Sequence, residues 1–393
     1  MSQQVIGFWI EWNSIKALDV VVLEVSMATP SCAFLLLLVV TFAQQSLTHQ
    51  ESSSTKPLSQ EEIAQLHAKA EAGDPRAQLD LGRAYDDGNG LPQNDQQAAK
   101  WYRSAAEQGN AAAQNNLGIM FRSGRGVDKD KVEALKWYKK AARQKNPSGM
   151  FNLGAAYYNG DGVPIDDVIA YTWFLLAQDF GSQSAVDAVK RMNADKGSLE
   201  VEALEKAGDM FWKNDDMPRS YSDAIHWYRK AADRGSTSAQ VALAGVLLQG
   251  PDAESTYPEV HQLCEKAAGV RYAPGAYCLG VLYQHGRGVT QDLRLAARWF
   301  GEAADLGNTP AMLRLGEMYR KGDGVKQDKI AAYEFVFLAD ASDLAEAKQE
   351  KATLEKELTP TEVKKAKARA TKWAGQHNQY GPLKLRGKMT TVN

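Results

Sequence analysis

Residues 113–146 have the sequence AQNNLGIMFRSGRGVDKDKVEALKWYKKAARQKN, and its pattern recurs along most of the chain. A glycine returns every 36 residues at Gly82, Gly118 and Gly154, and the register resumes at Gly208, Ala244, Gly280 and Gly316. An aromatic ladder follows it at Trp101, Trp137, Trp173, Trp227, Leu263, Trp299 and Phe335. Self-similarity at this period is typical of solenoids, in which each unit stacks on its neighbours. The sequence therefore predicts about seven units of 36 residues.

Each half of this stretch has the spacing of an amphipathic α-helix. Helix A carries Ala113, Leu117, Met120 and Phe121 on one face, and helix B carries Ala134, Trp137, Tyr138, Ala141 and Ala142. Between them, Gly124 suits the left-handed residue that ends a helix, and Asp128 or Asp130 can cap the next one. The pattern predicts an all-α fold of helix-turn-helix repeats.

The pattern Leu-Gly-x-x-Tyr/Phe, Gly-x-Gly-Val, Ala-x-x-Trp-Tyr-x-x-Ala-Ala and Gly-Asn resembles the Sel-1-like repeat family of tetratricopeptide-like solenoids, over about residues 75–342. The resemblance implies a right-handed αα superhelix that acts as a scaffold or adaptor for other proteins. Asn214 and Asp216 replace the loop glycines of unit four, and Leu263 replaces the tryptophan of unit five. We expect irregular loops in these two units.

An extra 18 residues separate units three and four, and they divide the array into two blocks. The Thr359–Glu362 pair has the spacing of a capping box at the start of a terminal helix. Terminal helices are expected to cover the ends of a solenoid. The predicted organisation is an upstream segment 1–26, a signal peptide 27–43, a flexible linker 44–57, a first repeat block 58–183 (a half repeat and units one to three), an inserted helical segment 184–204, a second repeat block 205–342 (units four to seven), capping helices 343–374 and a flexible basic tail 375–393.

The N-terminal region contains an apolar run from Ala33 to Phe42 that is interrupted by Thr41 alone. This run is too short to span a bilayer, and small residues near Ala43 suit cleavage before Gln44. Because residues 1–26 carry charges among apolar residues, Met27 is the better start of a signal peptide. We expect a secreted or periplasmic protein, or one in the lumen of the endoplasmic reticulum in a eukaryote. An uncleaved interfacial anchor is the alternative.

Cys264 and Cys278 fall on neighbouring helices of successive units, and an exported compartment permits a disulfide bond between them. Against the bond, Cys278 takes a position held by Asp80 and Asn116 in other units, which suggests that its side chain points outward. Cys264 takes a position held elsewhere by inward-facing tyrosines. The sequence leaves the bond open.

The composition is that of an ordinary globular protein, with 44% hydrophobic and 24% charged residues and a net charge of −2. This balance gives no electrostatic case for nucleic-acid binding. The six histidines are scattered and form no metal-ligand motif, and no cofactor or catalytic motif is apparent. Ser53-Ser54-Thr55-Lys56 matches the Ser-x-x-Lys of serine β-lactamases without its companion motifs. We therefore predict no enzyme; a cell-envelope hydrolase like the β-lactamase-labelled, cysteine-rich relatives is the alternative function.

A partner-binding site should use helix A positions that vary between units, because positions alike in every unit serve stacking. These lie two residues before, one after and four after the repeat glycine, on one face of the helix. In a tetratricopeptide-like superhelix this face lines the concave groove. Tyrosine, tryptophan and arginine are common interface anchors. The predicted partner-binding residues are Arg122, Tyr158, Trp212 and Arg320, with Ile119 and Val281 as apolar members. The alternative for Tyr158 and Trp212 is simple packing against residues 185–204.

Overall fold

The computed structural model describes residues 57–214, 216–342 and 344–377, and every regular element in these ranges is a helix. The predictions for residues 1–56 and 378–393, which include the signal peptide and most of the basic tail, lie outside the described residues. Successive helices pack in pairs, and each pair packs on the next. The predicted all-α solenoid of helix-turn-helix repeats is confirmed.

A single helix, α1 (Gln60–Glu71), precedes the seven helix A–helix B pairs. The pairs are α2 (Pro75–Asp87) with α3 (Asp95–Glu107), α4 (Ala111–Ser123) with α5 (Lys131–Arg143), α6 (Pro147–Asn159) with α7 (Asp167–Asp179), α9 (Glu200–Lys213) with α10 (Tyr221–Asp233), α11 (Thr237–Gln249) with α12 (Ala253–Gly269), α13 (Ala273–His285) with α14 (Leu293–Asp305), and α15 (Thr309–Lys321) with α16 (Lys329–Asp340). An extra helix, α8 (Gln183–Lys196), and a 3-10 turn at Gly197–Leu199 stand between α7 and α9. The chain continues after unit seven with α17 (Ala345–Glu357) and α18 (Pro360–His377), so α18 extends three residues beyond the expected boundary at 374.

The repeat glycine of helix A makes room for a side chain on helix B of the same unit. A Cβ atom on Gly118 would lie 2.6 Å from Cε1 of Tyr138, a ring that is only 1% exposed. Equivalent contacts join Gly82 to Tyr102, Gly154 to Phe174, Gly208 to Tyr228 and Gly280 to Phe300. In unit five both partners differ, because Ala244 holds the glycine position and Cys264 holds the ring position. The 36-residue period therefore records close packing between two helices of one unit.

The two glycines of the interhelical turn have different tasks. Gly124 ends α4 in the left-handed region, with φ 77°, where a side chain would be strained. Gly126, with φ 66°, touches the preceding unit, since a Cβ atom there would lie 2.0 Å from the Asp95 carbonyl oxygen at the start of α3. Asp130 then caps α5 by accepting from the backbone N–H groups of Val132 and Glu133, each at 2.9 Å. The turn therefore both reverses the chain and joins adjacent units.

The capping box predicted at the start of α18 is present. The Thr359 backbone N–H donates to Glu362 Oε2 at 2.8 Å, and the Glu362 backbone N–H donates to Thr359 Oγ1 at 3.3 Å. These two bonds satisfy N–H groups that the helix itself leaves unpaired.

Units three and seven both end in a helix B that is enclosed by neighbours. All residues from Ala170 to Ala177 of α7 are buried, and an extra helix packs on each of the two: α8 on α7, and α17 on α16. Tyr171 donates to Asn193 of α8, and Tyr333 donates to Glu355 of α17, both across 22 residues. The helix inserted after unit three therefore has the same relation to its unit as the first capping helix has to unit seven.

Unit five departs most from the repeat. Its two helices are joined by residues 250–252 alone, and Gly250 is extended, with φ −72° and ψ 166°. In unit four, Asn214 replaces the first loop glycine and takes the left-handed conformation, with φ 59°. These are the two units in which irregular loops were expected.

A disulfide bond joins Cys264 to Cys278, whose Cα atoms are 5.9 Å apart. The expectation that Cys278 points outward is wrong, because its side chain is only 9% exposed. Asn116 shows why: at the same position in unit two, it lies against the Tyr102 side chain of the preceding unit. A side chain two residues before the repeat glycine therefore reaches helix B of the preceding unit. It contacts there the position that Tyr102 holds in unit one and Cys264 holds in unit five.

Candidate partner-binding face

We define the helix-A face as the residues two before, one after and four after each repeat glycine. On this face every described residue except Cys278 is half-buried or exposed. Side chains here contact one another and the tips of the helix B tyrosines. The face is therefore accessible to a partner and carries a polar network that a partner could join.

Unit one shows how this network is built. The Tyr102 ring is buried, but its hydroxyl reaches the helix-A face and donates to Asp86 Oδ2 at 3.1 Å. Arg125, from the turn of unit two, bonds to the same Asp86 and, at 2.6 Å, to Asp95 Oδ1. Burial raises the pKa of the Tyr102 hydroxyl, and the negative charge of Asp86 raises it further. A carboxylate thus accepts from a tyrosine and an arginine at one point of the face.

The equivalent turn contact between units two and three has its charges reversed. Lys131 Nζ lies 2.6 Å from Asp161 Oδ1, at the positions that Asp95 and Arg125 hold one unit earlier. Alternating charges of this kind favour the correct order of units over a shifted one.

The predicted residues Ile119 and Arg122 lie together on α4. Ile119 is half-buried and packs against the core, with one side left accessible. Arg122, one turn further on, is half-buried and forms no ion pair within the described parts of the chain. Val281 occupies the same position on α13 that Ile119 holds on α4, and it also packs partly against the core. It lies four units further along the array.

Tyr158 at the end of α6 is 44% exposed, and few other large apolar side chains are as accessible in the described residues. One side of its ring lies 6.5 Å from the Phe174 ring, between centroids. The Lys196 ammonium group, at the end of the inserted helix α8, lies 5.9 Å from the Tyr158 centroid. Tyr158 therefore touches the inserted segment and still presents much of its ring to solvent.

Trp212 on α9 is half-buried and forms a cluster within its own unit. The Arg219 guanidinium lies 4.3 Å from the Trp212 ring, and the Tyr221 ring meets the indole edge-on at 5.4 Å. These contacts hold Trp212 against unit four, and none of them involves residues 185–204.

Arg320, one of the predicted partner-binding residues, is already paired with carboxylates of the protein itself. Its side chain is 26% exposed and bonds to Glu350 Oε1 at 2.5 Å, with Glu357 Oε1 at 3.7 Å. Both carboxylates belong to the capping helix α17. Arg320 therefore links the cap to unit seven, and that it also binds a partner stays a prediction.

The spacing rule places Asp86 on this face, but sequence reasoning did not connect Tyr138 or Arg125 with it. Tyr138 was assigned to packing because most units place an aromatic side chain there. The available signal was the change from Asp86 to Arg122 at the fourth residue after the glycine, which reverses the charge beside two equivalent tyrosines.

The Sel1 repeat model matches residues 75–110, 111–146, 147–177, 201–236, 273–308 and 309–339. The chain belongs to the Sel1 repeat family. Unit five, the irregular one, lies outside the matched ranges, although α11 and α12 form a helix pair there. Sel1 repeat proteins generally mediate protein–protein interactions and are typically non-catalytic scaffolds.

Two curated relatives of this Sel1 repeat protein match part of the chain. An uncharacterised protein of Neisseria meningitidis serogroup B is 25% identical over 135 residues, which are 34% of this chain and 28% of the relative. The chitin synthase regulator SKT5 of Saccharomyces cerevisiae is 30% identical over 93 residues, which are 23% of this chain and 13% of the relative. The chain thus spans less than a third of the length of either protein.

Solved structures of Sel1-like proteins also match. A protective antigen of uropathogenic Escherichia coli with an SLR fold is 23% identical, with 84% of this chain and 98% of that chain covered and a TM-score of 0.33. A Sel1 repeat protein from Oxalobacter formigenes is 30% identical, with 75% and 80% covered and a TM-score of 0.36.

This Sel1 repeat array also contains a cleft of about 440 Å³ between α7, α8, α9 and α10. Its charged side chains pair with one another: Lys230 Nζ lies 2.9 Å from Asp179 Oδ1, and Arg234 lies 2.9 Å from Glu200 Oε1. These charged side chains of the cleft are therefore already neutralised within the protein. The helix-A face is the stronger candidate for binding a partner.

Within residues 57–214, 216–342 and 344–377, no helix combines the length and apolar character needed to cross a bilayer. In the same ranges, no group of three or more His, Cys, Asp or Glu side chains is placed to hold a metal ion.

Proposed function

We propose that this Sel1 repeat protein is an exported scaffold or adaptor that binds a protein or peptide segment on the helix-A face of units two to four. The partner lies across α4, α6 and α9. Arg122, Tyr158 and Trp212 act as its anchors, and Ile119 supplies apolar contact.

One contrast carries this proposal. Elsewhere on the helix-A face, charged side chains such as Asp86 and Arg320 are bonded to neighbouring parts of the array. At units two and three, Arg122 forms no ion pair with any described residue and Tyr158 is 44% exposed. Arginine and tyrosine supply much of the binding energy at protein interfaces when a partner desolvates them. The side chains of units two and three thus have the fewest partners within the protein. A partner bound there could also contact several units.

Export is supported by two features of the chain. The apolar run from Ala33 to Phe42 suits a cleaved signal peptide. The bond between Cys264 and Cys278 is of a kind that persists mainly in oxidising compartments. The name of the yeast relative describes a regulator of an enzyme, and we infer for this chain a comparable role as an adaptor.

Site-specific photo-crosslinking tests the proposed face. A benzophenone amino acid placed at Ile119 or at Tyr158 should give the same partner adduct in the native host. The matched control is Lys136 on α5 of unit two, whose side chain is 64% exposed and lies off the helix-A face. Adducts from Lys136 that equal those from the helix-A face, or a lack of adducts at both test positions, would contradict the proposal.

A further inference from the structure

The buried tyrosines of helix B share a way of satisfying their hydroxyl groups. Each ring is enclosed by its unit, and the hydroxyl donates to a side-chain oxygen at the edge of the core. The donations run from Tyr102 to Asp86 (3.1 Å), from Tyr228 to Asp209 (2.5 Å), from Tyr333 to Glu355 (2.7 Å) and from Tyr171 to Asn193. A buried hydroxyl without a partner costs free energy, so this regularity is expected.

Tyr138 departs from it. Its side chain is 1% exposed, and its hydroxyl has no hydrogen-bond partner in the described part of the chain. The ring lies on Gly118 as the Tyr102 ring lies on Gly82, with the same 2.6 Å approach to the position of a Cβ atom. By this correspondence we place the Tyr138 hydroxyl, whose oxygen is itself shielded from solvent, beneath the helix-A face of unit two, at the point where the Tyr102 hydroxyl meets a carboxylate in unit one.

Arg122 holds the position from which that carboxylate would come. It lies four residues after Gly118, as Asp86 lies four residues after Gly82. Because the Tyr138 ring packs on Gly118, one turn before Arg122, the two side chains share this part of unit two. Burial raises the pKa of Tyr138 to about 12, and the positive charge of Arg122 opposes this rise. Two hydrogen-bond donors thus stand where unit one has a donor and an acceptor.

The acidic neighbour of this pair is already engaged. Asp161, whose charge also acts on Tyr138, lies 2.6 Å from Lys131 Nζ. Asn152, at the face of the next unit, donates from Nδ2 to Asn115 Oδ1 at 2.8 Å. Neither side chain accepts a bond from Arg122 or from the Tyr138 hydroxyl.

We propose that Arg122 and Tyr138 bind the carboxylate of an aspartate or glutamate side chain supplied by the partner. This assignment rests on the proposed function and names the chemistry of its ligand. Unit one contains the internal precedent, since Asp86 accepts there from both the Tyr102 hydroxyl and an arginine, Arg125. Bonds from a guanidinium and a hydroxyl to an ionised carboxylate are charge-assisted and are stronger than neutral ones.

The surroundings define what accompanies the acid. Ile119 lies one turn before Arg122 on the same helix, and Ala155 holds the corresponding position on α6; both are half-buried. Tyr158 exposes 44% of its surface at the end of α6. The fitting ligand is a peptide segment in which an acidic side chain is followed or preceded by an aliphatic or aromatic residue.

A peptide library tests this assignment with the full chain. The probes are acetylated and amidated hexapeptides with Glu or Asp at the centre, each matched to the same peptide with Gln or Asn, and they are measured by fluorescence polarisation. The variants are Arg122→Gln and Tyr138→Phe, with Arg83→Gln as the control because Arg83 also lies on the helix-A face and is 50% exposed. Phenylalanine already holds the equivalent position at Phe174 and Phe300, so Tyr138→Phe is compatible with the fold.

The best acidic peptides should bind the parent protein about tenfold or more tightly than their amide analogues. Arg122→Gln should abolish this preference, Tyr138→Phe should reduce it several-fold, and Arg83→Gln should leave it intact. Peptides that bind the parent equally well with Glu or Gln would overturn the carboxylate site but not the partner-binding face. The Gln and Asn peptides are also made with a free C-terminal carboxylate in place of the amide. Binding of these forms that equals the binding of the amidated Glu and Asp peptides would overturn the side-chain assignment. No binding by any peptide would count against the proposed function itself.

Discussion

Trp137 on α5 offers a quantitative test of the packing between units. It is 5% exposed, and Lys140 Nζ lies 3.8 Å from its ring centroid. A tryptophan side chain buries roughly 150–250 Å², which at about 25 cal/mol per Å² is worth about 4–6 kcal/mol. Loss of the cation–π contact adds about 1 kcal/mol, while removal of the buried, unpartnered Nε1–H returns about 1–2 kcal/mol. These contributions sum to about 3–6 kcal/mol. Large core truncations typically cost about 3–5 kcal/mol, so Trp137→Ala should lower the free energy of unfolding by an amount in that range.

The matched control is Trp101→Ala, because Trp101 holds the same repeat position in unit one but is half-buried. Its loss should be smaller than that at Trp137, because less of its surface is buried. Urea unfolding followed by circular dichroism measures both variants. Hydrogen exchange in α4, α5 and α6 adds a local measure, since stacked units can open separately. Equal losses at both positions, or a loss below about 1 kcal/mol at Trp137, would refute the packing argument.

Three further predictions address the glycine contact, the tyrosines and the N-terminus. Gly118→Ala should destabilise the protein by about 1–3 kcal/mol because its Cβ would overlap the Tyr138 ring; Gly245→Ala on α11, where nothing lies within 4 Å, should stabilise it by about 0.5–1 kcal/mol. The same sign for both in urea unfolding would show that the contact does not govern the repeat. Burial raises the pKa of Tyr138 and of Tyr171 to about 12, so the folded state holds these protons more tightly than the unfolded state; stability should be complete below the unfolded pKa of 10 and fall as pH rises towards 12. Urea midpoints measured across this range should fall less in Tyr171→Phe, and a flat profile in the parent would contradict the burial of these rings. Protein recovered from an exported fraction should begin at or near Gln44 by N-terminal sequencing, and a terminus at Met1 or Ser2 would exclude cleavage.

The helices of this chain follow from its sequence because stacking imposes one pattern on every unit. A position such as Gly118 must be small in each unit, and repetition makes that requirement visible without a structure. The caps are equally local: Asp130 and the Thr359–Glu362 pair lie within one turn of the N–H groups that they satisfy. Features of this kind depend on neighbours in sequence, and sequence spacing therefore predicts them.

Contacts between units were harder to foresee. Whether the Arg320 side chain is unpaired depends on α17, a helix that begins 25 residues later and brings Glu350 against it. The disulfide of Cys278 likewise depends on how far its position reaches into the preceding unit. These contacts are set by the rise and rotation from one unit to the next, which the repeat pattern does not contain.

The candidate site shows the same division. Sequence comparison placed Arg122 and Ile119 on one exposed face, and that they bind a partner stays a prediction. The role of Tyr138 could not be assigned from the sequence, because its ring serves packing. Its hydroxyl differs from that of Tyr102 only in the neighbouring side chain of helix A. The deciding difference is the exchange of Asp86 for Arg122, which acquires meaning once both tyrosines are seen to reach the helix-A face.

The most direct test of the proposed site is a double-mutant cycle on one acidic peptide from the library. Calorimetry would measure its affinity and that of its Gln analogue for the parent protein and for Arg122→Gln. The carboxylate site predicts strong coupling: the parent loses about tenfold or more in affinity when Glu becomes Gln, whereas Arg122→Gln binds both peptides equally. Losses that simply add, with Arg122→Gln still preferring the acidic peptide as strongly as the parent does, would show that Arg122 does not bind the carboxylate.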